Sequence, residues 1–368
     1  MRTPMWLILT IALAAAGTAA AQRGAQQARF WLTGAEQRGP QLQPLVECGP
    51  HGDFEILCGA HSPEDLELAP DGKYLTATEF VRNGHAGMAL FDLAKKTFTK
   101  MNQTAQPDKT WGDAACPGPI GDALVSHGSS LARRSNGVWE LYVVNHGGRE
   151  SIEMFELKPA DAGWTLIWHG CVVGAHDYND VAILPDGGFF ATYPTGLLAP
   201  ENSAAAFSGA VSGYVVRWTP GKGESEIKGT RLPYPNGVAA SPDGRYMYMN
   251  AFTAREVHKF DMKEDRELGS VKVDFLPDNL TWTKEGRLLA AGVKGALGDC
   301  PAGSGRPCIQ SFGVAEIDPE TMQARKLFDS STAKEPISTG VSVALEVGDS
   351  LYLGAFLGDR LVKIPYKK

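Results

Sequence analysis

The sequence predicts an all-β fold, a six-bladed β-propeller with metal ions in its central channel. Three observations predict it. A strand–turn–strand unit recurs six times along the 368 residues. Glycine (42) and proline (23) are abundant, as turn-rich β proteins require. Long helical periodicity is absent, so a doubly wound α/β fold lacks its helices.

The chain opens on a secretory-signal pattern. Arg2 supplies a positive start, residues 6–16 are apolar, and Ala19-Ala20-Ala21 precede Gln22 as a small-residue cleavage site. The apolar run is shorter than the roughly 20 residues that span a bilayer. Residues 1–21 are therefore expected to be removed, and 22–368 to form one propeller domain that is periplasmic or secreted. No cysteine stands at the cleavage site, which argues against a lipid anchor. No stable membrane insertion is expected after cleavage.

Export permits disulfides. Six cysteines are present: Cys48, Cys58, Cys116, Cys171, Cys300 and Cys308. Close spacing suggests Cys48–Cys58 and Cys300–Cys308, which leaves Cys116–Cys171 by elimination. A zinc site would want C-x-x-C spacing, which the sequence lacks.

The repeats begin at Glu64. Glu64-Asp65-Leu-Glu-Leu runs to the turn Asp71-Gly72, and Asn179-Asp180-Val to Asp186-Gly187. Asn236-Gly237-Val runs to Asp243-Gly244, and Asp278-Asn279-Leu to Glu285-Gly286. Looser copies start at His127-Gly128, with a turn at Asn136-Gly137, and at Thr339-Gly340, with a turn near Gly348-Asp349. Asp-Gly tolerates the positive φ of a tight hairpin. Further strands are expected at Val257–Phe260 and Leu141–Val144. Intervals of about 40 to 65 residues suit one four-stranded blade each.

The opening residues are Glu64, His127, Asn179, Asn236, Asp278 and Thr339, several with a polar neighbour (Asp65, Asp180, Asn279). If the repeats are in register, these groups converge on the channel. Converging carboxylates repel one another and lose solvation unless a cation joins them. Carboxylate and amide oxygens suit a hard ion, Ca²⁺ first, then Mg²⁺ or Mn²⁺. Glu64, Asn179, Asn236, Asp278 and Asn279 offer the oxygens. The plainer alternative is that Asn-Gly and Asp-Asn only serve turns.

These stretches, with Val143-Val-Asn-His146 and Leu351-Tyr-Leu-Gly, resemble the paraoxonase/arylesterase family. That family stands among the gluconolactonase, senescence marker protein and strictosidine synthase-like propellers. The resemblance runs through most of 60–366 in the same order. It implies two calcium ions in the channel. Glu64, Asn179, Asn236, Asp278 and Asn279 match the catalytic-ion ligands. Asp65, Asp180 and the backbone carbonyl of Ser129 match the ligands of a structural ion. His127 and His146 match the family's proposed histidine dyad. Two features depart from the family. Its disulfide between the chain ends is missing, so closure must rest on strand pairing. Its membrane-associating N-terminal helix has no counterpart. Inserts at 199–213 and 295–308 are expected to be loops shaping the pocket.

The implied reaction is metal-assisted hydrolysis of a lactone or aryl ester. The metal polarises the carbonyl and His127 activates water, with His146 as its relay. Glu64 or Asp278 is the alternative base. G-x-S-x-G, H-E-x-x-H and the P-loop pattern are all absent. A formal charge of −7 argues against a nucleic-acid partner. Two other functions stay open. One is a gluconolactonase-type sugar lactonase with a single divalent ion on Glu64, Asn179, Asn236 and Asp278. The other is a non-catalytic, metal-stabilised propeller that binds small molecules.

Overall fold

The innermost strand of each of six β-sheets packs against the innermost strand of the next, closing a ring. In chain order these inner strands are Pro63–Leu68, Ser126–Arg133, Val181–Ile183, Pro235–Ala240, Leu276–Trp282 and Thr339–Val347. The protein is thus a six-bladed propeller, here as a computed structural model that describes residues 45–80, 87–294 and 311–367. These belong to a compact unit formed by Leu42–Leu297 and Ile309–Lys368. Residues 1–21, the insert 295–308 and the Cys300–Cys308 pair lie outside the described residues.

The hairpin logic holds in every blade. Asp71-Gly72 joins the inner strand of the first blade to Tyr74–Glu79, and Asp243-Gly244 joins that of the fourth to Tyr246–Ala251. The turn glycines Gly72, Gly187, Gly244 and Gly286 have φ between +68° and +78°, the left-handed region that Asp-Gly supplies without strain. Alternating side chains on the two faces of each sheet bury Leu75, Phe91, Val143, Phe189, Met249 and Leu353 between blades. Val257–Phe260 lies in a third strand as expected. Leu141–Val144 does not. It belongs to the second strand of its blade, Trp139–Asn145, because the turn before it is Asn136-Gly137.

The ring closes by strand pairing. Phe54–Cys58, from the N-terminal side, pairs antiparallel with the last strand, Arg360–Pro365, through Glu55–Lys363 and Leu57–Leu361. Cys48–Cys58 ties the hairpin that carries this closing strand. Cys116–Cys171 joins the second blade's third-strand partner to the preceding loop, with Cys171 fully buried. Both pairings agree with the sequence expectation. Among the described residues no helix is long and apolar enough to cross a membrane.

A shared irregularity positions the site. The inner strands carry a β-bulge near their N-terminal ends. Glu64-Asp65, His127-Gly128, Asn236-Gly237 and Asp278-Asn279 each place two residues opposite one on the neighbouring strand. Asn179-Asp180 does the same around Thr192, through Asn179 N–H to Thr192 O (3.0 Å) and Thr192 N–H to Asp180 O (3.1 Å). A bulge turns the strand locally, so consecutive side chains need not alternate between faces. In the sixth blade the register shift falls at Ser342, between Val341 and Val343. The sixth equivalent of the opening residues is therefore Ser342, not Thr339. Thr-Gly resembles the other openings in sequence, but pairing with Ala355 and Gly354 sets the register three residues later.

Two of the bulges need glycine. A Cβ on Gly128 would lie 2.4 Å from Asp180 Oδ1, and one on Gly237 would lie 2.3 Å from the Asp278 carbonyl. Each glycine lets its strand approach the bulge of the next blade, which draws the polar residues together.

Candidate metal and hydrolytic site

The bulges deliver a buried polar cluster to one end of the channel. Glu64, Asp65, Asn179, Asp180, Asn236, Asp278 and Asn279 are each no more than 5% exposed. Asn279 donates through Nδ2 to Glu64 Oε1 at 2.8 Å. The Asn236 amide bonds the Asp278 carboxylate. Asn250 Nδ2 donates to the Asp278 carbonyl at 2.6 Å, and the Ser342 hydroxyl to the Glu64 carbonyl at 2.6 Å.

Asp65 and Asp180 are bonded differently. Asp65 accepts from Leu66 N–H (2.9 Å), Ser129 N–H (2.7 Å) and the Ser129 hydroxyl (3.0 Å). Asp180 accepts from Val181 N–H (2.7 Å) and Val238 N–H (2.8 Å). Each carboxylate staples its own blade to the next.

Burial raises the proton affinity of the whole cluster, and mutual repulsion adds to it. Asp278 is pushed up to about 8, with Asp65 adding to the effect of burial. Burial lifts Asp65 to about 6 against its stapling hydrogen bonds. Glu64 is held well above the usual carboxylate range by burial, then by Asp278 and Asp65. Asp180 is likewise raised by burial and by Asp65. Sequence reasoning missed a further member, Glu67, which burial and Asp65 push up to about 8. It lies within a repeat already recognised, but on the strand body rather than at its opening.

Four buried oxygens of the expected ligand set have no hydrogen-bond partner: Glu64 Oε2, Asn179 Oδ1, Asn236 Oδ1 and Asn279 Oδ1. Buried acceptors left unpaired are costly. Hard oxygen acceptors without donors fit a cation of the calcium type. Among the described residues no group of three or more His, Cys, Asp and Glu side chains forms a metal cluster by itself. A cation here would draw on amide oxygens as much as on carboxylates.

The two histidines meet beside this cluster. His127 Nδ1 and His146 Nε2 are 2.9 Å apart, and His127 Nε2 stands 3.8 Å from Glu64 Oε1. Phe80 stacks on His127, with centroids 4.2 Å apart and planes 18° from parallel, and meets His146 edge-on. Behind the pair, His146 Nδ1 is 2.6 Å from Glu150 Oε2. Glu150 went unnoticed in the sequence because it lies outside the repeat positions, in the loop after His146.

The insert at 199–213 forms the 3-10 segment Pro200–Ser208. Ala206, Tyr234, Phe252, Leu276 and Val293 form an apolar cluster there, with Phe207 packed against it. Tyr234 precedes the fourth inner strand; burial raises its phenol, and the nearby Asp278, Asp177 and Glu64 add to the effect. An apolar wall thus stands beside the polar cluster.

Comparison with known proteins gives a consistent picture. Residues 84–297, more than half of the chain, match the family described as SMP-30/Gluconolactonase/LRE-like region. Serum paraoxonase/arylesterase 1 of Homo sapiens is 26% identical over 234 residues, and that of Mus musculus 25% over 228. Each alignment covers 59% of this chain and 62% of the relative, so the chain matches about three fifths of their length. Among solved structures, a gluconolactonase from Xanthomonas campestris aligns with a TM-score of 0.52 at 17% identity, covering 90% of this chain and 99% of the other. A luciferin-regenerating enzyme aligns with a TM-score of 0.51 at 14% identity, covering 85% and 94%. These likenesses support the fold.

Proposed function

The chain belongs to the SMP-30/gluconolactonase/LRE-like family, and on that premise we propose that it is an exported, calcium-dependent hydrolase of lactones or aryl esters. The observation that carries this is the meeting of two arrays. Four unpaired buried oxygens face a cation-sized need for charge, and an imidazole pair stands 3.8 Å from one of their carboxylates.

A calcium ion held by Glu64, Asn179, Asn236, Asp278 and Asn279 would supply Lewis-acid polarisation of the substrate carbonyl. The protein's own groups do the rest. His127 Nε2 takes a proton from water as the new C–O bond forms. It returns that proton to the leaving oxygen as the ester C–O bond breaks. His146 holds His127 through the 2.9 Å contact, and Phe80 limits the tilt of the imidazole. The apolar wall around Tyr234 and Phe252 receives the uncharged part of the substrate.

The direct test assays the purified protein on a panel of lactones and aryl esters, with EDTA and with Ca²⁺ restored. Hydrolysis that is lost with EDTA and regained with calcium supports the proposal. No hydrolysis of any member in saturating calcium removes it and leaves a small-molecule-binding propeller.

One observation favours the gluconolactonase-type alternative with a single ion. Asp65 and Asp180 already accept backbone N–H bonds from two blades each, which suffices to explain their burial. Two variants separate the cases. Asp180→Ala is expected to lose about 2–4 kcal/mol of stability by orphaning two N–H groups. Asn236→Ala is expected to lower turnover more than stability. With a second, structural ion, the stabilisation by added calcium shrinks most in Asp180→Ala. With one ion it persists there and shrinks in Asn236→Ala. Calorimetric Ca²⁺ stoichiometry on the parent provides the independent count.

A further inference from the structure

Tyr234 stands between Pro233 and Pro235 with its φ at +51°. A bulky side chain seldom takes a positive φ, and the residue before a proline is pushed toward extended backbone. This turn breaks both rules and is held from outside. Tyr234 N–H donates to the Ser212 hydroxyl (3.0 Å), which donates in turn to the Pro194 carbonyl (2.8 Å). The Tyr234 carbonyl accepts from Phe252 N–H at 3.1 Å. Leu232 N–H donates to the Gly213 carbonyl (3.1 Å) and Ser212 N–H to the Leu232 carbonyl (3.2 Å), so the end of the 199–213 insert clamps the turn. Backbone strain that its surroundings over-determine in this way gathers at functional sites.

The ring fixed by this turn is 6% exposed and lies against Phe207 and Phe252, with centroids 5.0 and 5.4 Å away. Ala206, Leu276 and Val293 complete apolar surroundings. Buried tyrosine hydroxyls usually find a partner. Among the described residues Tyr234 makes its hydrogen bonds through the backbone, and none reaches the phenol oxygen. We propose that the Tyr234 hydroxyl is a specificity determinant, pairing with an oxygen substituent on the substrate so that hydroxylated lactones are preferred to purely hydrocarbon ones. The inference rests on the hydrolytic reading above. A phenol both donates and accepts, so a substrate hydroxyl in reach satisfies it. A hydrocarbon in the same place leaves the phenol buried and unpaired, and that penalty is what discriminates. The apolar residues around it receive the rest of the substrate.

The test compares γ-butyrolactone with its α- and β-hydroxylated forms, on the full chain in saturating Ca²⁺. The readout is the ratio of kcat/KM for each hydroxylated lactone to that for the plain one. Comparing ratios between variants cancels the intrinsic reactivity that a hydroxyl adds. For at least one of the two, Tyr234→Phe is expected to lower the ratio about tenfold, roughly what one neutral hydrogen bond supplies. Phe252→Leu, which reshapes the wall without removing a hydroxyl, should keep the parent's ratio. Ratios unchanged in Tyr234→Phe overturn the proposal. So does an equal fall in both variants, which would make the effect one of packing. The thermal midpoint of Tyr234→Phe is expected to match or exceed the parent's, and a clear fall would show that the hydroxyl is held structurally. Binding of the matching γ-lactams, plain and hydroxylated, separates this proposal from the hydrolytic reading. If the parent hydrolyses none of the lactones yet binds a hydroxylated lactam about tenfold better than the plain one, and Tyr234→Phe does not, the hydrolytic reading falls and Tyr234 keeps its role. Without that preference, both fall.

Discussion

Stripped of divalent cations, the protein is expected to lose stability steadily as pH rises from about 5 to 8, and calcium is expected to abolish that loss. In the folded chain Asp65 is raised to about 6, Asp278 and Glu67 to about 8, and Glu64 and Asp180 also sit high, chiefly through burial. Unfolded carboxyls titrate near 4. Between those values the folded state binds more protons than the unfolded one, so unfolding free energy falls with pH. Their contribution is fully present below about pH 4 and is lost as pH climbs through about 6 to 8. Asp278 alone, raised from 3.8 to about 8, corresponds to on the order of 5 kcal/mol. For a domain of this size that is a thermal midpoint shift of about 10 °C. Bound calcium replaces the protons as countercharge, so its stabilising effect should grow over the same window. The measurement is the thermal midpoint at pH 5, 6, 7 and 8, in EDTA and in millimolar Ca²⁺. A flat EDTA profile with no response to calcium would show that the channel carboxyls neither titrate as a cluster nor bind the ion.

His127→Gln is expected to lower kcat by about two to four orders of magnitude, the span general base catalysis contributes, with little change in folding. The side chain is 11% exposed and its neighbour Phe80 packs on its face, so glutamine fits with modest loss. The calcium-dependent rise in thermal midpoint should persist, because His127 is outside the oxygen set. His146→Gln should cost less, since it acts through His127. The measurement is the rate of lactone or aryl-ester hydrolysis beside the calcium titration of stability. Undiminished turnover in His127→Gln would move the base to Glu64 or Asp278.

The bulged openings bear on both results. Glu64 and Asp65 are adjacent in sequence, and on a regular strand they would face opposite ways. The register shift before Leu66 releases that constraint. Glu64 joins the orphaned oxygens and Asp65 turns to the second blade's Ser129. The same division recurs at Asn179, with its unpaired oxygen, and Asp180, bonded to Val238. Asn279 keeps its Oδ1 free while its amide holds Glu64. Asn279 is accordingly buried at 2% exposure.

Much of this was legible in the amino acids alone, where the information is local. Alternating apolar residues and a positive-φ Asp-Gly turn are decided within a dozen residues, so repeats such as Asn236-Gly237-Val…Asp243-Gly244 announced blades. The polar openings Glu64, Asn179, Asn236 and Asp278 stood out because scaffolding does not call for them. Cys48–Cys58 followed from proximity along the chain. Other features depended on partners far away in sequence. Ser342 rather than Thr339 completes the ring because Gly354 and Ala355 set its register. Asp65 and Asp180 became inter-blade staples because the Ser129 and Val238 amides happen to face them across the channel wall. Glu150 reached His146 because Asn145 and Arg149 fold their loop back on itself. Periodicity reports which face a side chain takes relative to its own neighbours. Which side chains of different blades share hydrogen bonds is decided by ring closure, strand register and burial, which exist only once the chain has folded.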